Sequence, residues 1–238
     1  MNSEKHPSLL AEIPVLLRGE AEPIARWMQR WETRRVVFYI GVIALGAGAY
    51  GAAMGCWRAP LQATYVAVKF PLIILLTTFG NALLNGMFAP LLGLNLTVRQ
   101  SILAILMSFT IASTILGALS PLLVFLVWNV PPLEPGQPIP QSTYLSIQLT
   151  QVAMIAFAGV SANLRLMQLL RRLSGSAQIA RRVLFSWLAG NLFLGSQLSW
   201  ILRPFIGSPF LKVEFLRSNA FQGNFFESVF NAIRELMR

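Results

Sequence analysis

Five long stretches of this chain, 36–57, 70–92, 101–128, 142–164 and 183–202, contain no Lys, Arg or acidic residue. Each is close to the roughly 20 apolar residues that a helix needs to cross the hydrocarbon of a bilayer. A charged side chain near mid-membrane would cost about 2.5–3.5 kcal/mol on insertion scales, and these windows avoid it. Without water, a backbone in lipid must satisfy its own hydrogen bonds, which makes such windows helices. The alternating polarity of barrel strands is not visible. The expected fold is therefore all-α: a polytopic membrane protein, a bundle of about five transmembrane helices with flanking amphipathic helices.

Composition agrees. Only 12% of the 238 residues are charged, about half the fraction usual in soluble domains. The charges gather in residues 1–35, in 165–182 and in 203–238. This divides the chain into a cytoplasmic amphipathic segment (1–35), the bundle (36–202) and an extracytoplasmic tail (203–238). The first apolar run begins too late for a cleavable signal peptide, so it is expected to stay as an anchor. The start of the second span is the least constrained. Starting it at Leu61 would put Lys69 in lipid; starting it at Phe70 leaves Lys69 at the interface and Pro71 in the first turn, where proline is tolerated. On that reading no ionisable group lies within the membrane. Pro121 is a candidate kink in the third span.

Orientation follows from the basic residues. With the N-terminus inside, twelve of the 19 Lys and Arg face the cytoplasm and seven face outward, with the bias clearest beside the spans. The net charge of +10 is accounted for by this topology. The arginines flank apolar segments and form no continuous patch for nucleic acid. The expected location is a bacterial inner (plasma) membrane, N-terminus cytoplasmic and C-terminus outside.

The flanks carry amphipathic patterns. Leu9, Leu10, Ile13, Leu16 and Leu17 form one stripe, interrupted by Pro14. Ile24, Trp27, Met28 and Trp31 form a second beside Arg26, Arg30, Arg34 and Arg35. Trp and Arg next to a span suit a helix lying on anionic lipid; a plain cytoplasmic tail is the alternative. Anionic-lipid or partner contacts are expected at Arg30, Arg34, Arg35, Arg171, Arg172, Arg181 and Arg182. In the tail, Pro204, Gly207 and Pro209 end the fifth helix. Asn224 then has Glu227 three residues on as a capping-box partner. Phe226, Val229, Phe230, Ile233 and Met237 share one face of that last helix, which lipid or protein must cover.

Inside the membrane two patterns stand out. In the first span Ala47, Gly51 and Gly55 recur every fourth residue, as do Ala44, Gly48 and Ala52. Small residues at that spacing let helix backbones approach closely, either across an oligomer seam or against another span of the same chain. Amides recur as Asn81 and Asn85, Gln148 and Gln151, and Asn191 and Gln197. In hydrocarbon each needs a partner. They either bond helix to helix or line a polar path for a solute.

Catalysis lacks an inventory. The chain has no Asp, one His at position 6 and one Cys at position 56. Paired aspartates, a membrane-depth Ser–His pair and a zinc site are all excluded. Phosphate-binding glycine loops are absent. No metal and no cofactor are expected, and a lipid-acting enzyme would work through tail carboxylates, Glu214 or Glu227.

The stretch Leu92-Gly93-Leu94-Asn95-Leu96-Thr97-Val98-Arg99-Gln100 runs straight into a long apolar helix. With five spans, N-in and C-out, it resembles bacterial members of the Yip1 class of small polytopic proteins. The resemblance covers about a third of the chain and does not extend over Trp200 to Ile233. It implies a five-helix bundle and, for eukaryotic members, a role in membrane trafficking and organisation. No functional residue carries over. The expected function is a non-catalytic scaffold, anchor or assembly subunit of a membrane complex, bound to the bilayer and to anionic lipid, as a homo-oligomer or with other membrane proteins. The alternatives are a channel or transporter for a neutral or anionic solute, and a lipid-acting enzyme.

Overall fold

The computed structural model describes residues 8–88, 90–130, 141–206, 212–227, 230 and 234, apart from the side chains of 141 and 142. Among the described residues the α-helices run in the order α1 (Glu12–Arg18), α2 (Ala21–Gln29), α3 (Thr33–Gly55), α4 (Pro60–Phe88), α5 (Val98–Trp128), α6 (Gln141–Ser174) and α7 (Ala177–Leu202). Among the described residues there is no strand. Among the described residues four helices are long and apolar enough to cross a membrane: α3, α4, α5 and the Thr143–Ser174 part of α6. Leu45, Phe79, Leu149, Phe157 and Val160 point outward from them, an apolar surface that a protein in water rarely presents over such length. These helices fit an integral membrane protein. Helix α7 is longer than α3 but opens on Arg181 and Arg182 and falls short of the same apolarity.

The long helices form a closed ring. Helix α3 packs on α4 and α5, α4 on α7, α7 on α6, and α6 on α5; α4 and α5 also touch across the ring. Its core is built from Tyr39, Ile43, Ala47, Leu103, Leu123 and Trp187. The N-terminal helices α1 and α2 lie at one end, which also holds the end of α6 and the start of α7. The tail lies at the other, beside the end of α7 and the start of α4.

Two expectations about the spans are corrected. Helix α4 begins at Pro60, not Phe70, and ends at Phe88. Lys69 is consequently buried within the helix and Pro71 is interior, not in the first turn. A proline there leaves the carbonyl four residues earlier without its usual donor. That carbonyl, of Ala67, lies against Gly48 of α3, 3.2 Å from where a Cβ would sit; a close neighbouring backbone is how membrane helices tolerate such a break. Helix α6 passes the expected end at Leu164 and runs to Ser174. At 1.5 Å per residue it is about 50 Å long, more than the hydrocarbon thickness, which leaves room for its last turns, with Arg165, Arg171 and Arg172, outside a bilayer. Gly175, with φ +64°, then makes the left-handed stop, and the Ser176 side chain caps α7 by accepting from the Ile179 amide.

Candidate functional site

The small-residue stripe is used within the chain. A Cβ on Gly51 would stand 2.5 Å from the Val66 carbonyl oxygen, and one on Gly55 would stand 2.7 Å from that of Gln62. Gly48, Gly51 and Gly55 thus carry α4 against α3, and Ala47 is buried with them. Ala44 departs from the expected seam: it is exposed. A second close approach, unforeseen in the sequence, sets Gly46 against Ser113 and Gly117 of α5.

The six amides divide into three places. Asn81 donates to the Trp187 carbonyl at 3.0 Å and to Asn191 Oδ1 at 2.6 Å, and Asn85 donates to Asn81 Oδ1 at 2.7 Å. Gly190 makes room for this cluster, since any Cβ there would strike Asn81. Asn81 and Asn85 are buried, so the cluster ties α4 to α7 away from solvent. Gln197 instead accepts from the Phe225 amide at 3.3 Å and holds the tail on α7. Gln148 and Gln151 lie on α6 beside a separate cavity at the tail end. The three groups lie apart among the described residues. Replacing Asn81 by Leu is expected to lower stability by about 1–2 kcal/mol, and a double-mutant cycle between Asn81 and Asn191 should return a coupling of about 0.6–1.7 kcal/mol, the range for interhelical bonds in membranes. Equilibrium unfolding in detergent measures both, and a zero coupling would contradict the pairing.

Among the arginines expected at anionic lipid, Arg30, Arg34, Arg171, Arg172, Arg181 and Arg182 are exposed. Arg172 pairs with Glu22 at 2.7 Å, tying α2 to α6. Arg35 is a correction: it is buried and faces protein. Its Nε donates to both carboxylate oxygens of Glu12 at 3.0 and 3.1 Å, and Tyr39 Oη donates to the same carboxylate at 2.6 Å. Its guanidinium also lies 5.4 Å from the Trp27 ring. The stripes of α1 and α2 turn the same way, for Leu16, Ile24 and Met28 are buried in the core. Protein covers these three, with the end of α6 as part of the wall, while Leu10 and Trp31 of the same stripes stay exposed.

The tail is fastened along α4. Gln62 donates to the carbonyls of Pro204 at 3.0 Å and Phe205 at 2.9 Å. Lys69 Nζ donates to the carbonyls of Pro204 and Glu214, both at 3.4 Å, and stands 5.2 Å from the Phe215 ring. Sequence reading missed this clamp; its one visible signal was a lysine followed two residues later by a proline in an apolar run. The Asn224 cap is present, with the Glu227 amide donating to Asn224 Oδ1 at 2.8 Å. Phe226 stacks on Phe193 of α7, centroids 5.6 Å apart, and Phe230 is exposed. Val229, Ile233 and Met237 lie outside the described residues.

Beside the clamp, a cavity of about 320 Å³ is walled by Met54, Tyr144, Gln148, Gln151 and Ile155 on one side and by Phe205 and Arg217 of the tail on the other. A groove of about 780 Å³ at the opposite end is lined by Leu92, Arg181, Arg182 and Phe185. Among the described residues no three His, Cys or acidic side chains gather as metal ligands would.

No family model matches the chain, and neither a curated protein nor a solved structure matches it.

Proposed function

We propose that this is a five-span integral membrane protein of the bacterial inner membrane, N-terminus cytoplasmic and C-terminus outside, that acts as a non-catalytic scaffold or anchor within a membrane assembly. The observation that carries this reading is the pairing of the intramembrane amides. Asn81, Asn85 and Asn191 are bonded to one another and to the Trp187 carbonyl, which supports helix-to-helix bonding over a polar lining for a solute. Both flanks are also fastened to the bundle, the N-terminal helices through Glu12 and Arg35 and the tail through Gln62 and Lys69. A scaffold needs such fixed surfaces on its two sides. The tail presents Leu216, Phe221 and Phe230 outward, apolar side chains suited to a partner or to the outer interface. The Arg181 and Arg182 groove suits anionic headgroups on the cytoplasmic face.

Counting α7 as the fifth span rests on geometry. It begins beside the N-terminal helices, ends at the tail and has the length, about 39 Å at 1.5 Å per residue, to cross. An odd number of crossings puts the two chain ends on opposite sides. The block 92–100, on which the likeness to the Yip1 class rests, here forms a turn and a complete capping box between Thr97 and Gln100 at the start of α5. That is a way of opening a span and names no chemistry. Of the two tail carboxylates put forward for catalysis, Glu214 and Glu227, the second is engaged with Asn224.

Tags on the two termini should report from opposite compartments, and proteoliposomes of the purified chain should pass small anions and neutral solutes no faster than empty vesicles. Tags in one compartment would overturn the five-span topology. Solute flux abolished by Asn81→Leu would replace the scaffold with a transporter.

A further inference from the structure

Three cations meet at the tail end without a counter-charge. Lys69 is fully buried, and its ammonium finds only two backbone carbonyls and the Phe215 ring. Arg203 donates to the Trp200 carbonyl at 2.7 Å and stacks on the Trp200 ring. Arg217 lies further along the tail and walls the cavity beside the clamp. Among the described residues none of the three has a carboxylate within salt-bridge distance, and the side chain of Glu214 is turned to the surface. Arg203 and Arg217 are half-buried, whereas Lys69 is a buried cation without an anion, which is costly.

A second, independent observation falls on the cavity that Arg217 walls. Gln151 is 2% exposed, and neither its Nε2 nor its Oε1 has a hydrogen-bond partner. Its backbone carbonyl is already taken by Tyr50 Oη, at 3.0 Å, which fixes the helix there but leaves the amide idle. A buried amide left without partners forfeits its full desolvation cost, so the position makes sense only if something else completes it. Gln151, Gln148, Tyr144 and Arg217 wall one cavity. Together they offer an arginine fork, two amides and a phenol, which suits a group with several acceptor oxygens and a negative charge.

The rest of the wall is apolar: Met54, Val152, Ile155, Phe205 and Ile206. The cavity is too small for a whole lipid and large enough for a headgroup with its first carbons. Beside it α6 turns Leu145, Leu149 and Val152 outward, an apolar flank along which acyl chains can continue into the bilayer. A free inorganic anion would leave that wall unused.

We infer that this cavity, between α6 and the clamped tail, holds the phosphate-bearing head of an anionic amphiphile, with Arg217 and the Gln151 amide as its contacts. The clamp of Gln62 and Lys69 on Pro204 and Phe205 holds the tail side of the wall in place. The ligand would join the tail to the bundle, and the site does not depend on the scaffold reading.

The test uses the full chain in uncharged detergent, in an Arg181→Gln/Arg182→Gln background that removes the groove at the other end. Phosphatidylglycerol, phosphatidylcholine and inorganic phosphate are titrated separately, with adducts read by native mass spectrometry and stabilisation by thermal unfolding. Phosphatidylglycerol should bind one per chain and raise the midpoint, phosphatidylcholine should bind at least about tenfold more weakly, and millimolar phosphate alone should do neither. Arg217→Gln and Gln151→Leu should each weaken phosphatidylglycerol by about tenfold or more, the effect of losing one charge-assisted bond or its equivalent. Gln151→Leu also controls for folding: by removing two unpartnered polar ends it should leave the lipid-free chain at least as stable as the parent. Equal binding of phosphatidylcholine would overturn the anionic head. Phosphate binding as tightly as the lipid would overturn the amphiphile. Phosphatidylglycerol binding that survives both substitutions would overturn the location.

Discussion

Arg35→Met is expected to release α1 and α2 from the bundle. The Arg35 and Glu12 side chains are only 7% and 3% exposed, so the substitution strands a carboxylate in a buried position, with Tyr39 as its remaining donor. Breaking a buried pair on one side typically costs about 3–5 kcal/mol, a rise of roughly a hundred- to several thousand-fold in the undocked population. The loss should stop there. Glu12 belongs to a segment that can swing away and rehydrate, whereas α3 remains packed on α4 and α5. Limited trypsin digestion reads this directly: Arg18 and Arg26 should be cut quickly in the variant and slowly in the parent, with the bundle intact. In the double variant Glu12→Gln/Arg35→Met the neutral amide still accepts from Tyr39 and no charge is left behind, so most of the protection should return. A single variant as resistant as the parent would mean that the apolar contacts of Leu16, Ile24 and Met28 hold the segment alone.

That ion pair shows where sequence reading stops. Glu12 and Arg35 are 23 residues apart, on different helices, and nothing in their local pattern couples them. Arg35 was legible only as one of a run of basic residues beside a span. The apolar windows were legible because insertion into lipid imposes a local rule, and α3 and α5 fall within a few residues of them. The rule marks where charge enters and not where a helix ends. Arg165, Arg171 and Arg172 closed the fourth window, yet α6 continues through them, since arginine is a good helix former and Gly175 supplies the actual stop. Lys69 misled for the converse reason. Its cost was judged as if it faced lipid, while its partners, Pro204 and Glu214, arrive from more than a hundred residues away.

The amides were legible in part. Asn81 and Asn85, four apart, do share a helix face and bond to each other. That Asn191 joins them while Gln148, Gln151 and Gln197 do not follows from how α7 and α6 are rotated in the ring, and residue spacing within one helix does not encode that. The small-residue stripe behaved similarly. Its spacing announced a close helix contact but left the partner open between a second copy and another span.

Gly51→Leu is expected to be the most damaging single change in the membrane. Gly51 is where α3 lies closest to the proline-containing stretch of α4: a Cβ would fall 2.5 Å from the Val66 carbonyl oxygen and 3.1 Å from the Phe70 Cβ. Backbone cannot yield as a flexible side chain does, so the helices must separate along their length. Separation also opens the neighbouring contacts at Gly48 and Gly55 and withdraws Gly48 from the Ala67 carbonyl that Pro71 leaves without a donor. Overpacking of a core commonly costs about 1–3 kcal/mol and occasionally more; with a helix pair forced apart, the upper end or beyond is expected. Because the seam is occupied by α4, the variant should lose thermal stability before any change in oligomer size appears. Gly41→Leu and Gly159→Leu provide the comparison: a Cβ at either position meets nothing within 4 Å, so both should unfold close to the parent midpoint, apart from any gain in helix propensity. If Gly51→Leu melts with them while the particle becomes smaller, the stripe joins two copies of the chain and the packing of α3 on α4 is not what it sustains.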